Sequence, residues 1–255
     1  MSRKRRKLIN TPHAASKSNV DYIDYHSYDN EEPNYQRELP KRRQKPAPLT
    51  AKTAKQKEYI DAIYDSPQIV VCGPAGVGKT YIAARIAAEM LANKEVDKIV
   101  ISRPNVSSSK SIGYVPGDKN MKFQGWAIPI LEVLKEYLGE GAYDYYLKNE
   151  KIELVPFEYM RGRSFNNCFV IVDEFQSTTI DEAICIVTRI GENSKLILMG
   201  DVRQKDIKQE GGLEFVTKMV KTRYNLRNFV KLIDFDLTDV VRSGVCSAWV
   251  YEIYD

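Results

Sequence analysis

The chain has 255 residues, 43% of them apolar and 28% charged, with four Cys, two His and a net charge of +4. That is ample apolar material for one core, and the length suits a single α/β domain with an appendage rather than two full domains. No apolar run approaches the roughly 18 residues that a membrane-spanning helix needs, and no apolar segment follows the basic N-terminus, so neither a membrane protein nor a secretory leader is expected. Cys72, Cys168, Cys185 and Cys246 show no CxxC spacing and read as thiols of a reducing compartment rather than disulfides or zinc ligands. His13 and His26 both fall in the polar N-terminal stretch, which argues against a histidine triad or a His-rich metal site.

Charge divides the chain. Residues 1–45 carry eleven Lys/Arg against six Asp/Glu, and the remainder carries 27 against 28. Residues 1–46 are therefore read as a flexible basic arm, and 47–255 as the folded domain. The arm holds Arg3-Lys4-Arg5-Arg6-Lys7 and Lys41-Arg42-Arg43, separated by polar sequence that cannot bury enough surface to offset its ordering entropy. Such clusters attract nucleic-acid phosphates through counterion release. A solubilising tail explains them equally well.

From Leu49 onward, short apolar runs alternate with helical ones. Strands are predicted at 69–72, 98–102, 152–155, 168–172, 195–199 and 231–235, and helices at 79–93, 128–138 and 181–190. This alternation predicts a mainly parallel sheet covered by helices on both faces, a three-layer α/β fold.

Gly73-Pro74-Ala75-Gly76-Val77-Gly78-Lys79-Thr80 matches G-x-x-x-x-G-K-[ST] at each specified position. The strand-like 69–72 precedes it and a helical run follows, which aims backbone N–H groups and a helix N-terminus at phosphate. Lys79 is expected on the β- and γ-phosphates of ATP, and the Thr80 hydroxyl on Mg²⁺. Further on, the apolar run 168–172 ends in Asp173-Glu174. Asp173 suits the magnesium shell, and Glu174 suits the general base that polarises an attacking water. Capping of the next helix is the weaker alternative for that acidic pair, given the phosphate loop about a hundred residues upstream. The run 195–199 leads into Gly200-Asp201-Val202-Arg203-Gln204, where the Gln204 amide is placed to orient water and contact the γ-phosphate.

These motifs together resemble the PhoH-like ATPases, whose core is RecA-like and related to superfamily 1 helicases. The resemblance runs from about Leu49 to about Tyr254. Besides the segments above it includes Ser102-Arg103-Pro104-Asn105-Val106, Gly113-Tyr114-Val115-Pro116-Gly117-Asp118 and Tyr159-Met160-Arg161-Gly162-Arg163-Ser164-Phe165-Asn166-Asn167. It continues through Phe175-Gln176, Thr188-Arg189-Ile190-Gly191 and Asp239-Val240-Val241-Arg242. Phe175 stands where the family usually has Ala, and Gly125-Trp126 replaces a more proline-rich stretch. The resemblance implies that Gln56 reads adenine, and that Arg242 approaches the γ-phosphate in its own chain or across a subunit interface. An ion-pairing surface arginine is the alternative for Arg242. It also implies that Arg103, Arg161 and Arg163 face nucleic acid or a neighbouring subunit, unless they serve ordinary ion pairs.

A helicase-like ATPase of this kind acts on RNA or single-stranded DNA. Superfamily 1 helicases clamp ATP between two RecA-like domains, and this chain has room for one, so a ring-shaped homo-oligomer, a hexamer in its simplest form, is expected. Stand-alone members are common in bacterial viruses, so a cytoplasmic protein is expected, in the host cytoplasm if the origin is viral. The second reading is a nucleotide-dependent switch acting on a protein partner.

Overall fold

Six runs dominated by Ile, Val and Leu pair side by side in a computed structural model that describes residues 46–104, 119–204 and 209–254, with the side chains of 119–124 excepted. The basic arm, Asn105-Val106 and the 113–118 motif lie outside the described residues. The strands are β1 (Gln68–Cys72), β2 (Lys98–Ser102), β3 (Ile152–Leu154), β4 (Cys168–Val172), β5 (Lys195–Gly200) and β6 (Val230–Asp234). Their spatial order is β3-β2-β4-β5-β1-β6, and every neighbouring pair is parallel.

A parallel sheet must be covered on both faces, and side chains alternate faces along each strand. Ile69, Val71, Ile99, Ile101, Phe169, Ile171, Ile197 and Met199 join one core with α1 (Ala54–Asp65), α2 (Lys79–Ala92) and α3 (Lys119–Leu138). Val70, Val100, Val170, Val172, Leu196 and Leu198 point to the other core, against α5 (Ile180–Val187) and α6 (Gly212–Thr222). This is the expected three-layer α/β architecture. The helix α4 (Glu140–Lys148) follows α3, and α7 (Gly244–Tyr254) is the last described element.

Packing choices account for the close approach of α2. Ala83, Ala84, Ala87 and Ala88 are all fully buried, and their small side chains let the helix lie near both sheet and α3. Arg85 is buried on the same helix. Its guanidinium lies 3.6 Å from the Tyr137 ring centroid, donates to the Ala47 carbonyl at 2.9 Å and pairs with Glu89 at 3.2 Å.

Two helix boundaries differ from expectation. The 128–138 helix begins at Lys119, with Pro129 inside it. Proline favours a first helical turn, which is why the sequence reads as starting there. The 181–190 helix stops at Val187, where the Thr188 hydroxyl donates back to the Ile184 and Cys185 carbonyls and Ile190 instead bridges to Phe165. Among the described residues no helix is long and apolar enough to cross a membrane.

The strand order has one consequence for function. Because β5 lies between β1 and β4, the segment after β5 sits between the phosphate loop and Asp173. At roughly 4.8 Å per strand, β1 and β4 are separated by about 10 Å.

Candidate active site

The phosphate loop leaves β1 with Gly73, Gly76 and Gly78 at φ of 143°, 91° and 92°. Residues with a Cβ resist such backbone. Space is equally restrictive at Gly73, where a Cβ would come within 2.6 Å of the Phe235 Cβ and 2.9 Å of its carbonyl oxygen. The loop is tied on both flanks, since Gly73 donates to the Gly200 carbonyl at 3.3 Å and Phe235 donates to the Cys72 carbonyl at 2.9 Å. At the loop's crest, Val241 donates to the Gly76 carbonyl at 3.2 Å.

Lys79 opens α2 and folds back over the loop, donating to the carbonyls of Gly73 at 2.7 Å and Pro74 at 2.8 Å. Burial lowers its amine below the ordinary value, while the carboxylates of Asp201, Asp173 and Glu174 pull it back up. A cation with three carboxylates in electrostatic range is poised to exchange carbonyl partners for phosphate oxygens.

At the end of β4, Asp173 donates its N–H to the Ser102 carbonyl at 3.0 Å and accepts the Glu174 N–H at 3.0 Å. Burial raises the Asp173 carboxyl, and the neighbouring Glu174 charge raises it further. Glu174 itself has φ 54° and ψ 37°, the left-handed region. For a residue with a long side chain this costs about 1–3 kcal/mol and persists only where the surroundings enforce it. Gln176 holds its side chain. Only 3% exposed, it donates to a Glu174 carboxylate oxygen at 2.5 Å and accepts the Asp201 N–H at 3.1 Å. Arg103, at the end of β2, lies 3.9 Å from the other Glu174 oxygen.

Asp201 directly follows β5 and is 5% exposed. It accepts the Arg203 N–H at 3.0 Å, and its other oxygen accepts the Tyr254 hydroxyl proton. Gln204 donates from Nε2 to the Tyr254 hydroxyl oxygen at 2.6 Å.

The remaining expected residues divide into two groups. Gln56 lies under the loop and is 4% exposed; its Nε2 donates to the Val77 carbonyl at 2.9 Å, and its Oε1 accepts the Lys52 N–H at 2.7 Å. Arg242 also packs on the loop, since a Cβ on Gly76 would lie 2.6 Å from the Arg242 Cγ. Arg163 stands elsewhere. It grips Glu153 of β3 through two bonds of 2.8 and 2.9 Å, four strand positions from β1. Arg161 is exposed just beyond the short turn Phe157–Met160.

Sequence reasoning passed over Gln176, Asp201 and Tyr254 as site residues. Asp201 had a usable signal, because it follows its strand as Asp173 follows β4. Tyr254 had none.

Thr80 and Asp173 suit a hard cation that keeps most of its shell as water and phosphate oxygen, which is the habit of Mg²⁺. Among the described residues no group of three or more His, Cys, Asp or Glu is gathered to hold a metal alone.

A glycine loop between a strand and a helix, with carboxylates at the ends of β4 and β5, defines a P-loop nucleotide-binding protein with a RecA-like core. The model of the "PhoH-like protein" family matches residues 48–255, and the chain belongs to that family. It is 37% identical over 202 residues to Protein PhoH of Escherichia coli (strain K12), covering 78% of this chain and 56% of the relative. With the PhoH-like protein of Bacillus subtilis (strain 168) it shares 35% over 209 residues, 81% of this chain and 64% of the other. With that of Synechocystis sp. it shares 38% over 175 residues, 68% and 53% respectively. The chain thus spans about half to two-thirds of the length of these relatives.

Proposed function

We propose that the protein hydrolyses ATP with Mg²⁺ and couples the reaction to RNA or single-stranded DNA. The observation that carries the hydrolytic part is the gathering of Lys79, Asp173, Glu174 and Asp201 at the carboxyl ends of β1, β4 and β5. Backbone N–H groups of Gly73, Ala75, Gly76, Val77 and Gly78 line the phosphates, with Pro74 shaping the loop without a donor of its own and Lys79 neutralising the β- and γ-phosphate oxygens. Thr80 and Asp173 would hold the magnesium ion, which would supply positive charge against the negative charge developing on the phosphate oxygens. Glu174 takes a proton from water as its oxygen bonds the γ-phosphorus. The bond to the bridging oxygen breaks, and ADP leaves with that electron pair. Gln176 keeps the Glu174 carboxylate aimed, and Gln204 senses the γ-phosphate. Gln56 contacts the base if it exchanges its bonds to Lys52 and Val77. Arg242, already against the loop in its own chain, supplies positive charge to the γ-phosphate.

The nucleic-acid part rests on the arm's basic clusters and the helicase-like motif set, with Arg103, Arg161 and Arg163 as candidate contacts for nucleic acid or a neighbouring subunit. The protein is proposed to act in the cytoplasm as a ring-forming homo-oligomer, hexameric in the simplest form, with residues 1–46 as arm and 47–255 as ATPase domain. Steady-state ATP turnover with and without RNA or single-stranded DNA tests the coupling. Stimulation that falls with salt and is lost on deleting residues 1–45, basal turnover being spared, supports it. Indifference to both polymers overturns it. A nucleotide-dependent switch on a protein partner is the second reading. It is favoured by Val245, Trp249 and Ile253, which lie four residues apart on α7 at 74%, 67% and 70% exposure.

A further inference from the structure

Fifty residues separate Gln204 from Tyr254, yet the two side chains are bonded. The Tyr254 hydroxyl has one proton and gives it to Asp201, so toward Gln204 it acts only as an acceptor. The Gln204 amide must therefore present Nε2 to Tyr254, which turns its carbonyl oxygen away from the tyrosine. Arg203, between these two partners, donates to the Tyr254 carbonyl, and its guanidinium lies 5.2 Å from the tyrosine ring centroid. Asp201, Arg203 and Gln204 thus all converge on one residue.

Hydrophobic burial does not explain the convergence. Tyr254 is the buried residue of α7, while Val245, Trp249 and Ile253 of the same helix are largely exposed. A second tether is a hydroxyl too, since Tyr251 donates to the Leu237 carbonyl at 3.0 Å. Before the helix begins, Val241 is bonded to Gly76 of the phosphate loop. The segment from Val241 to Tyr254 therefore touches the loop at one end and the segment after β5 at the other. Burial, followed by the bond to Asp201, pushes the Tyr254 phenol up to about 12, so the hydroxyl keeps its proton at neutral pH.

We propose that Tyr254 is a positioning residue for the hydrolytic step: its hydroxyl sets the orientation of the Gln204 amide, so that an acceptor oxygen rather than an NH₂ group meets the attacking water. This rests on the ATPase reading and deepens it. Tyr254 touches neither nucleotide nor water, and acts through Gln204 and Asp201. Without the hydroxyl, the Gln204 amide is free to rotate, and about half of its orientations present the wrong end.

Tyr254→Phe keeps the ring and deletes the hydroxyl. Measured on the full chain with Mg²⁺ and ATP, kcat is expected to fall about tenfold with KM within about twofold, the pattern of an interaction that matters in the transition state. Gln204→Ala is expected to show a similar loss, and the double variant no further loss, because the two residues act as one unit. Tyr251→Phe, which loosens the same helix elsewhere, is expected to leave kcat unchanged. Three results overturn the proposal: unchanged kcat in Tyr254→Phe, a rise in KM matched by a drop in Tm, or losses that multiply in the double variant. If Tyr254→Phe folds poorly, Gln204→Glu, which cannot donate to the hydroxyl, must reproduce the kcat loss or the proposal falls. Wild-type protein that fails to turn over ATP sinks the ATPase reading itself, whereas wild-type turnover with unimpaired Tyr254→Phe sinks this inference alone.

Discussion

Glu174 holds a left-handed backbone at the site, and its side chain carries the proposed role of general base. An amide in its place keeps the shape and the bond to Gln176 but cannot accept a proton from water. Glu174→Gln is therefore expected to retain ATP binding and lose about 10²–10⁴ in kcat. Lys79→Ala is expected to behave differently, losing binding as well, because the carboxylates of Asp173, Glu174 and Asp201 then face the phosphates without the lysine charge between them. Nucleotide binding by calorimetry beside steady-state turnover separates the two variants, and near-normal turnover in Glu174→Gln removes it as the base. The phosphate loop, Asp173 and Glu174 were legible in the sequence because each sits next to a strand that announces itself by composition. Gln176 was quoted in a motif without a role, since its two bonds depend on where β5 lies. The left-handed conformation of Glu174 has no sequence signal at all, because Glu disfavours it.

Among the elements, strands read best. The apolar runs of the central strands are short, buried and bounded by polar residues, so 98–102 and 168–172 coincide with β2 and β4. The boundaries of α3 and α5 read less well, because Pro129 mimics a helix start inside α3 and the back-bonded Thr188 ends α5 early. The joint between β1 and α2 is the least tolerant of change. Gly73→Ala adds a methyl against Phe235 at a φ of 143°, and is expected to cost at least about 2 kcal/mol and to abolish nucleotide binding. Retained binding with unchanged stability contradicts that account. On the next layer, Arg85 joins α2 to α3 through Tyr137 and to the Ala47 carbonyl. Arg85→Ala is expected to cost about 2–3 kcal/mol in urea unfolding, combining a desolvated cation–π contact with a charged hydrogen bond. A loss below about 0.5 kcal/mol would show the buried guanidinium to be dispensable.

For the whole molecule, the strand order has a consequence in time rather than in space. Strand β1 carries the phosphate loop, but its sheet neighbours come late: Gln68 pairs with Leu196 on one side and Val230 on the other. During synthesis the loop emerges more than a hundred residues before β5 and still longer before β6. Until then the two edges of Ile69, Val70 and Val71 have nothing to pair with. Pairings of such long sequence separation are slow to form and leave apolar edges open to aggregation. A chain stopped after Asn228 lacks β6, Phe235 and α7, and is expected to gain no thermal protection from ATP, whereas the full chain gains it by mass action. Protection of the shortened chain would mean that the loop assembles without its late neighbours. The loop is thus made long before the strands that complete the nucleotide site, so a ribosome that stops before β6 is expected to release a polypeptide with the motif and without the binding.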